Sequence, residues 1–278
     1  MFDVYLSQLS LTPPETPDVD FLNKLVERHV ATYSFNNTGV LLRETLSLEL
    51  SAILHKLVTR KAGGFCFEHN KLVMHCLDSL GYDTRLVMGR VFNNHIRDVP
   101  RTHRVTLVTL DGEDYLIDCG FGASVPQAPL KLSEQGIQQT GNRQYTIKPL
   151  PNGEYDVVLI KEGCPFVLYR IDSAVYSDAD CTAGHLYSIA HPQAVFVNNL
   201  VVSINKPDQT HALINHTLTS TFQGRQEETR VTSAEQLTHI LQRVFTLPVD
   251  TAICHFLFER YVQPHLHQDG QPAAPEQS

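Results

Sequence analysis

Cys66 follows two glycines in "KAGGFCFEHN" (61–70), and His103 and Asp118 open and close the alternating apolar stretch "THRVTLVTLDGEDYLIDCGFG" (102–122). A thiol, an imidazole and a carboxylate are the parts of a nucleophilic triad. The imidazole takes the thiol proton, and the carboxylate holds the other ring nitrogen and favours the imidazolium. Taken singly, each has a plainer reading. Free cysteines are among the residues most often buried, His103 alone reads as a surface histidine at a strand start, and Asp118 as a turn carboxylate before glycine. The triad reading depends on elements that bring the three together.

For Cys66 the element is a helix whose first turn it occupies, with Val73, Cys76, Leu77 and Leu80 on the apolar face and Gly81 as the stop. There a sulfur faces unpaired backbone N–H groups and the positive end of the helix dipole, which favour thiolate. Gly63 and Gly64 leave room for a substrate beside the backbone. For His103 and Asp118 the element is a hairpin. Asp111-Gly112 between alternating runs signals a two-residue turn, which sets Leu110 opposite Glu113 and His103 opposite Gly120. Asp118 then lies diagonal to His103 on one face, within side-chain reach. A four-residue loop would set His103 opposite Gly122 and carry Asp118 away.

Cys66, His69, His75 and Cys76 also invite a metal reading. On one helix Cys66 and Cys76 stand about 15 Å apart along the axis, too far for two ligands of one zinc, and His75 projects from the opposite face. No metal is expected, and Cys76 reads as core.

The bulk properties read as those of a soluble globular protein. With 278 residues, 42% hydrophobic and 19% charged, the chain can bury a large core. A net charge of -8 opposes binding to phosphate backbones or anionic lipid surfaces, so neither nucleic acid nor membrane is an expected partner. The N-terminus has no basic stretch leading into an apolar run, and no run of about 18 apolar residues occurs anywhere, so a cytoplasmic location is expected. Six cysteines without regular spacing do not suggest a disulfide framework.

Three regions follow from the change of period. Residues 1–81 are helical: a helix starts near Asp18 with Phe21, Leu22, Leu25, Val26 and Val30 on one stripe, and "SLELSAILHKLV" forms a second before the Cys66 helix. Residues 82–195 are β-rich, in short runs such as "TRLVMGRVF", "YDVVLI" and "PFVLYRI". In 196–278, "VFVNNLVVSIN" and "HALINHTLTSTF" read as strands, Thr232 and Glu235 as a capping box for the following helix, and "HQDGQPAAPEQS" as a frayed tail.

Gly63, Gly64, Phe65, Cys66, Phe67, Glu68 and Asn70, with Thr102, His103, Asp118, Gly120, Phe121, Gly122, Pro126 and Pro129 downstream, resemble the signature blocks of the arylamine N-acetyltransferases. "VTSAEQLTHILQRVFTL" is similar to the last long helix of that family, so the likeness runs over almost the whole chain. The resemblance implies an α+β fold of three packed units: a helical bundle with the nucleophile (1–81), a β-barrel with the His and Asp (82–195) and an α/β lid (196–278), on a core like that of papain-type cysteine proteases. It implies Cys66, His103 and Asp118 as catalytic residues and acetyl-CoA as co-substrate. It also implies ping-pong transfer through a Cys66 thioester to an arylamine or hydrazine, and a substrate pocket lined by Phe35, Val91, Phe121, Gly122 and Phe196. The plain alternative for each lining residue is core packing.

Two positions depart from the family. Ala62 stands where an arginine usually precedes the glycine pair, and Asn36 where an acidic residue follows the aromatic. A jointly lost arginine–carboxylate pair accounts for both, since losing one partner would strand a charge. Other functions fit the same residues: a thiol hydrolase, an amide synthase related to these transferases, or an inactive relative that binds a ligand or partner.

Overall fold

The computed structural model describes residues 1–268. Two sheets and a helical layer organise these residues. The N-terminal helices Asp3–Gln8, Val19–Thr32, Leu50–Leu54 and Cys66–Ser79 pack around Leu22, Leu25, Ile53, Leu57, Leu72 and Leu77, all with no exposed surface. Truncating one such side chain to alanine costs about 2–5 kcal/mol. Asp18 caps its helix, its carboxylate accepting the Phe21 N–H at 2.6 Å. The second expected helix is short: after Leu54 it widens into a π-helical turn, His55–Thr59.

Eight strands form one antiparallel sheet in the spatial order 130–131, 113–117, 101–110, 83–91, 164–171, 155–161, 143–149, 138–140. The sheet curls until its two edges almost meet: Gln138 bonds the backbone N–H and C=O of Lys131 from the opposite edge strand, at 2.8 and 2.9 Å. The result is a nearly closed, barrel-like sheet around Val87, Val105, Leu116, Tyr145, Val157 and Leu168. In the hairpin Arg101–Leu110/Glu113–Ile117 the pairs run from Leu110 opposite Glu113 to Thr106 opposite Ile117. Asp111 and Gly112 take left-handed φ values of 53° and 78°, as a type I′ turn requires. The hairpin also supplies Val108, Ile117 and Cys119 to the helical core, which fixes it against the Cys66 helix.

The second sheet has the order 35–36, 201–206, 209–214, 217–222, 225–230. Its edge strand Phe35–Asn36 comes from the N-terminal region, and Phe35 pairs with Ser203.

Several local expectations are corrected. "VFVNNLVVSIN" is not one strand: Val195–Asn198 is a helical turn and the strand begins at Val201. The buried Asn37 side chain donates to the carbonyls of Phe196 and Asn199, and this tertiary bond overrides the β-branched pattern. "HALINHTLTSTF" is two strands, Gln209–Ile214 and Thr217–Phe222, because Asn215 accepts a φ of 51° and turns the chain. The N-cap of the helix that follows is Ser233, which accepts the Gln236 N–H at 3.2 Å, one residue after the expected Thr232; two overlapping capping patterns compete there. The helix beyond it is not long. Ala234–His239 passes into a π-helical turn, Ile240–Val244, stops at Thr246 with φ 55°, and a new helix Thr251–Leu257 starts under an Asp250 cap.

One helix was not foreseen. Asp178–Ala190 lies inside the β-rich span, and its buried face of Cys181, Gly184, His185 and Ser188 shows little apolar periodicity. Gly184 lets it approach the barrel: a Cβ there would stand 2.5 Å from the Arg101 carbonyl oxygen. Most of the tail expected to fray, 269–278, lies outside the described residues.

Candidate active site

Cys66 is the first residue of its helix and is 4% exposed. The preceding glycines stand where a side chain would collide with its neighbours. Gly63 has φ 62°, and a Cβ on it would lie 2.2 Å from the Ser34 carbonyl oxygen; one on Gly64 would lie 2.6 Å from a Glu68 carboxylate oxygen. Glu68 turns back to accept the Phe65 N–H at 3.1 Å and is paired with Lys56 at 2.7 Å. The nucleophile therefore sits on a fixed loop-to-helix junction.

The hairpin reaches this junction through Gly120, where a Cβ would stand 2.6 Å from the Cα of Cys66. His103 projects from the strand Arg101–Leu110 and bonds Asp118 through Nε2, 2.7 Å from Oδ2, with both groups buried. The Cys66 thiol itself donates to the carbonyl of Thr102, the residue before His103, at 3.5 Å, and its sulfur couples electrostatically to the His103 ring. Burial opposes a charge on the imidazole, but the Asp118 carboxylate and the Cys66 sulfur outweigh it and raise its pKa to about 10. Burial likewise opposes ionisation of Asp118. The His103 charge, the Asn70 amide and the Gly120 N–H overcome it and hold the carboxyl below its ordinary value. The structure thus brings the three expected residues into one buried neighbourhood: His103 bonds Asp118, and the Cys66 thiol bonds the carbonyl of the residue next to His103.

Two residues outside the expected set complete the carboxylate's surroundings. Asn70, one helical turn below Cys66, donates to Asp118 Oδ1 at 3.0 Å and to the Arg104 carbonyl at 2.6 Å, and accepts the Cys119 N–H at 2.7 Å. It ties the helix to the hairpin. Its i, i+4 spacing from Cys66 is a signal the sequence already contains. Tyr169, on Cys164–Ile171, donates its hydroxyl to Asp118 Oδ2 at 2.9 Å. Nothing in its sequence neighbourhood marks it.

The expected lining residues divide into two groups. Phe35 and Phe196 pack in one cluster with Cys66 and Phe65, with ring centroids 5.9 Å apart. Phe121 meets the His103 ring edge-on at 4.9 Å, and Gly122 lies against the Phe35 ring, 3.5 Å from where a Cβ would be. Phe35 and Phe196 therefore share a cluster with Cys66, Phe121 touches His103, and Gly122 reaches the site through Phe35. Val91 packs against the barrel core with Phe121, and no described contact joins it to Cys66. Among the described residues no group of three His, Cys, Asp or Glu side chains is placed to hold a metal ion, and no helix is long and apolar enough to cross a membrane.

Residues 18–254 match a family model described as N-acetyltransferase. The chain belongs to the arylamine N-acetyltransferase family. It is 32% identical over 260 residues to the arylamine N-acetyltransferase / N-hydroxyarylamine O-acetyltransferase of Salmonella typhimurium, with 88% of each protein covered. The solved structure of the Salmonella typhimurium arylamine N-acetyltransferase resembles it with a TM-score of 0.84 at 30% identity, covering 89% of this chain and 91% of that one. The Mycobacterium marinum arylamine N-acetyltransferase in complex with CoA resembles it with a TM-score of 0.87 at 26% identity, covering 94% of this chain and all of that one.

The two departures from the family's pattern touch each other. The Asn36 amide donates to the Ala62 carbonyl at 3.0 Å, and its oxygen accepts from the Thr38 N–H and hydroxyl. Position 36 thus holds a buried neutral amide bonded to Ala62 and Thr38.

Proposed function

We propose that this protein transfers an acetyl group from acetyl-CoA to an arylamine or hydrazine through a thioester on Cys66, with His103 and Asp118 completing the catalytic triad. The observation that carries this reading is the buried Asp118–His103 bond of 2.7 Å beside a cysteine on a helix start, whose thiol bonds the Thr102 carbonyl next to His103. The resemblance to a CoA-bound relative supplies the donor class.

In the first half-reaction the Cys66 sulfur attacks the acetyl carbonyl, an S–C bond forms, and CoA departs with a proton from His103. In the second, the amine nitrogen attacks the thioester, its proton passes to His103, and the Cys66 sulfur leaves. Arylamines are weak bases, so they arrive neutral and nucleophilic. Replacing one thioester by another is nearly balanced in energy, and the site need only lower the barrier. The Glu68 N–H is taken by the Phe65 carbonyl, which leaves the N–H groups of Cys66 and Phe67 at the helix start to suit the developing oxyanion, a contribution of about 3–4 kcal/mol per donor.

Phe35, Phe121, Gly122 and Phe196 form the acceptor pocket in this reading, with Val91 further out along the barrel wall. We also read 1–81, 82–195 and 196–278 as bundle, barrel and lid on a papain-like core, supported by the separate apolar clusters of helices, barrel and C-terminal sheet. Six unpaired cysteines fit a reducing compartment such as the cytoplasm. The test is acetyl-CoA-dependent acetylation of a panel of arylamines and hydrazines by the wild type, Cys66→Ala and His103→Ala. The wild type yields N-acetyl product and both variants lose it; hydrolysis of acetyl-CoA to acetate without N-acetyl product would assign the site to a thiol hydrolase.

A further inference from the structure

Three buried side chains that the mechanism does not use are joined in a line ending beside the nucleophile. The Tyr5 hydroxyl lies 2.7 Å from His29 Nδ1, His29 Nε2 lies 2.7 Å from His69 Nδ1, and His69 Nε2 lies 3.2 Å from the carbonyl oxygen of Gly64. Tyr5 and His29 show no exposed surface and His69 shows 1%. The line joins helices Asp3–Gln8, Val19–Thr32 and Cys66–Ser79 to the loop that precedes Cys66.

Its polarity is fixed from the far end. A carbonyl only accepts, so His69 Nε2 must carry a hydrogen. A neutral His69 then presents a bare Nδ1, so His29 must donate from Nε2 and accept at Nδ1, and Tyr5 must donate. Burial of both rings and the closeness of two like groups favour the neutral forms that this pattern needs. With both rings neutral, only one arrangement of hydrogens satisfies every link. Were Tyr5 not to donate, His29 could take the other tautomer and force His69 Nε2 to face Gly64 with a lone pair.

We propose that Tyr5, His29 and His69 act as a one-directional relay that positions the nucleophile loop, with His69 a positioning residue for acetyl transfer. The end of the relay bears this out. The Gly64 oxygen also accepts the Asn36 N–H at 2.7 Å, and Gly64 forms a parallel bridge to Phe35. The Phe35 ring lies nearly parallel to the His69 ring, centroids 6.4 Å apart at 18°. The relay thus holds at once the peptide two residues before Cys66 and one wall of the acceptor pocket, so it rests on the reading that Cys66 carries the acetyl group. A misplacement of about 1 Å at a reacting atom can cost about a hundredfold in rate.

The test combines a tautomer readout that does not use activity with single-turnover kinetics. Long-range proton–nitrogen NMR of the full chain near neutral pH should show both His29 and His69 neutral and protonated at Nε2. His69→Leu should slow acetylation of Cys66 by acetyl-CoA about ten- to a hundredfold while its far-UV spectrum stays native. His69→Gln, whose oxygen can accept from His29 and whose amide can donate to Gly64, should recover most of that loss. Tyr5→Phe, which keeps the ring and removes the donor, should disturb the His69 tautomer signal. An Nδ1–H tautomer or an imidazolium at either position in the wild type overturns the proposal, as does a folded His69→Leu that acetylates at the wild-type rate. If Cys66→Ala still transfers acetyl, the assignment of the nucleophile fails instead, and the tautomer result stands apart from it.

Discussion

Gly120 approaches Cys66 so closely that a Cβ on the glycine would lie 2.6 Å from the Cα of the cysteine. This contact sets how far the hairpin can descend onto the helix start, and therefore whether His103 meets the sulfur. Gly120→Ala must push the two apart. We expect a loss of about 1–3 kcal/mol in stability and a fall of about a hundredfold or more in single-turnover acetylation. Thermal unfolding and rapid-quench kinetics check the two parts.

Asp118 supports the charge on His103, which is otherwise penalised by burial. Asp118→Asn removes that support and leaves the Asn70 amide and the Gly120 N–H without their anionic acceptor. Transfer should fall by about three to four orders of magnitude, as when the carboxylate of other triads is neutralised, and the imidazole should titrate far lower by NMR.

The same pair makes stability depend on alkaline pH. The folded His103 pKa, about 10, lies above the ordinary 6.5, so between these values the folded state binds more protons than the unfolded one. Its contribution is complete below about pH 6.5 and disappears as the pH rises through 10. Melting temperature should therefore decline across that window in the wild type and less in Asp118→Asn.

His69 acts on the acid side with the opposite sign. Burial lowers its pKa to about 4, reinforced by the Lys56 charge and opposed by the Gly64 and Ser34 carbonyls and by Asp118. Between 6.5 and 4 the unfolded state binds the extra proton, so stability present above pH 6.5 is lost on acidification, at most on the order of 3 kcal/mol. His69→Gln cannot titrate and should flatten this part of the melting-temperature profile.

Asn36 and Ala62 offer a coupling test. Asn36→Glu alone puts an unpaired carboxylate at a 2% exposed position and should destabilise by about 3–5 kcal/mol. Adding Ala62→Arg should return much of it, because the Asn36 side chain already touches Ala62. Denaturant melts of the two single variants and the double should give a coupling of about 0.5–3 kcal/mol; strict additivity contradicts the joint loss of a charged pair.

The parts of the site that were legible in the sequence are those set by local rules. Asp111-Gly112 determines the hairpin register, and the register places His103 and Asp118 on one face. The glycine pair and the apolar face beyond it mark the start of the Cys66 helix. What stayed hidden depends on partners far along the chain. Tyr169 reaches Asp118 across 51 positions, and Tyr5, His29 and His69 find one another only after three helices have packed. The helix Asp178–Ala190 escaped because small and polar residues form its buried face, and the 195–199 segment because a buried asparagine, Asn37, decides its conformation.

The central claim is that an acetyl group rests covalently on Cys66 between donor and acceptor. Intact-protein and peptide mass spectrometry after rapid mixing with acetyl-CoA, in the absence of amine, tests it most directly. We predict release of one equivalent of CoA, one acetyl group on the peptide containing Cys66, and discharge of that group as N-acetyl product when an arylamine is added. CoA release with no acetyl on Cys66, or a label that an arylamine does not remove, contradicts the account.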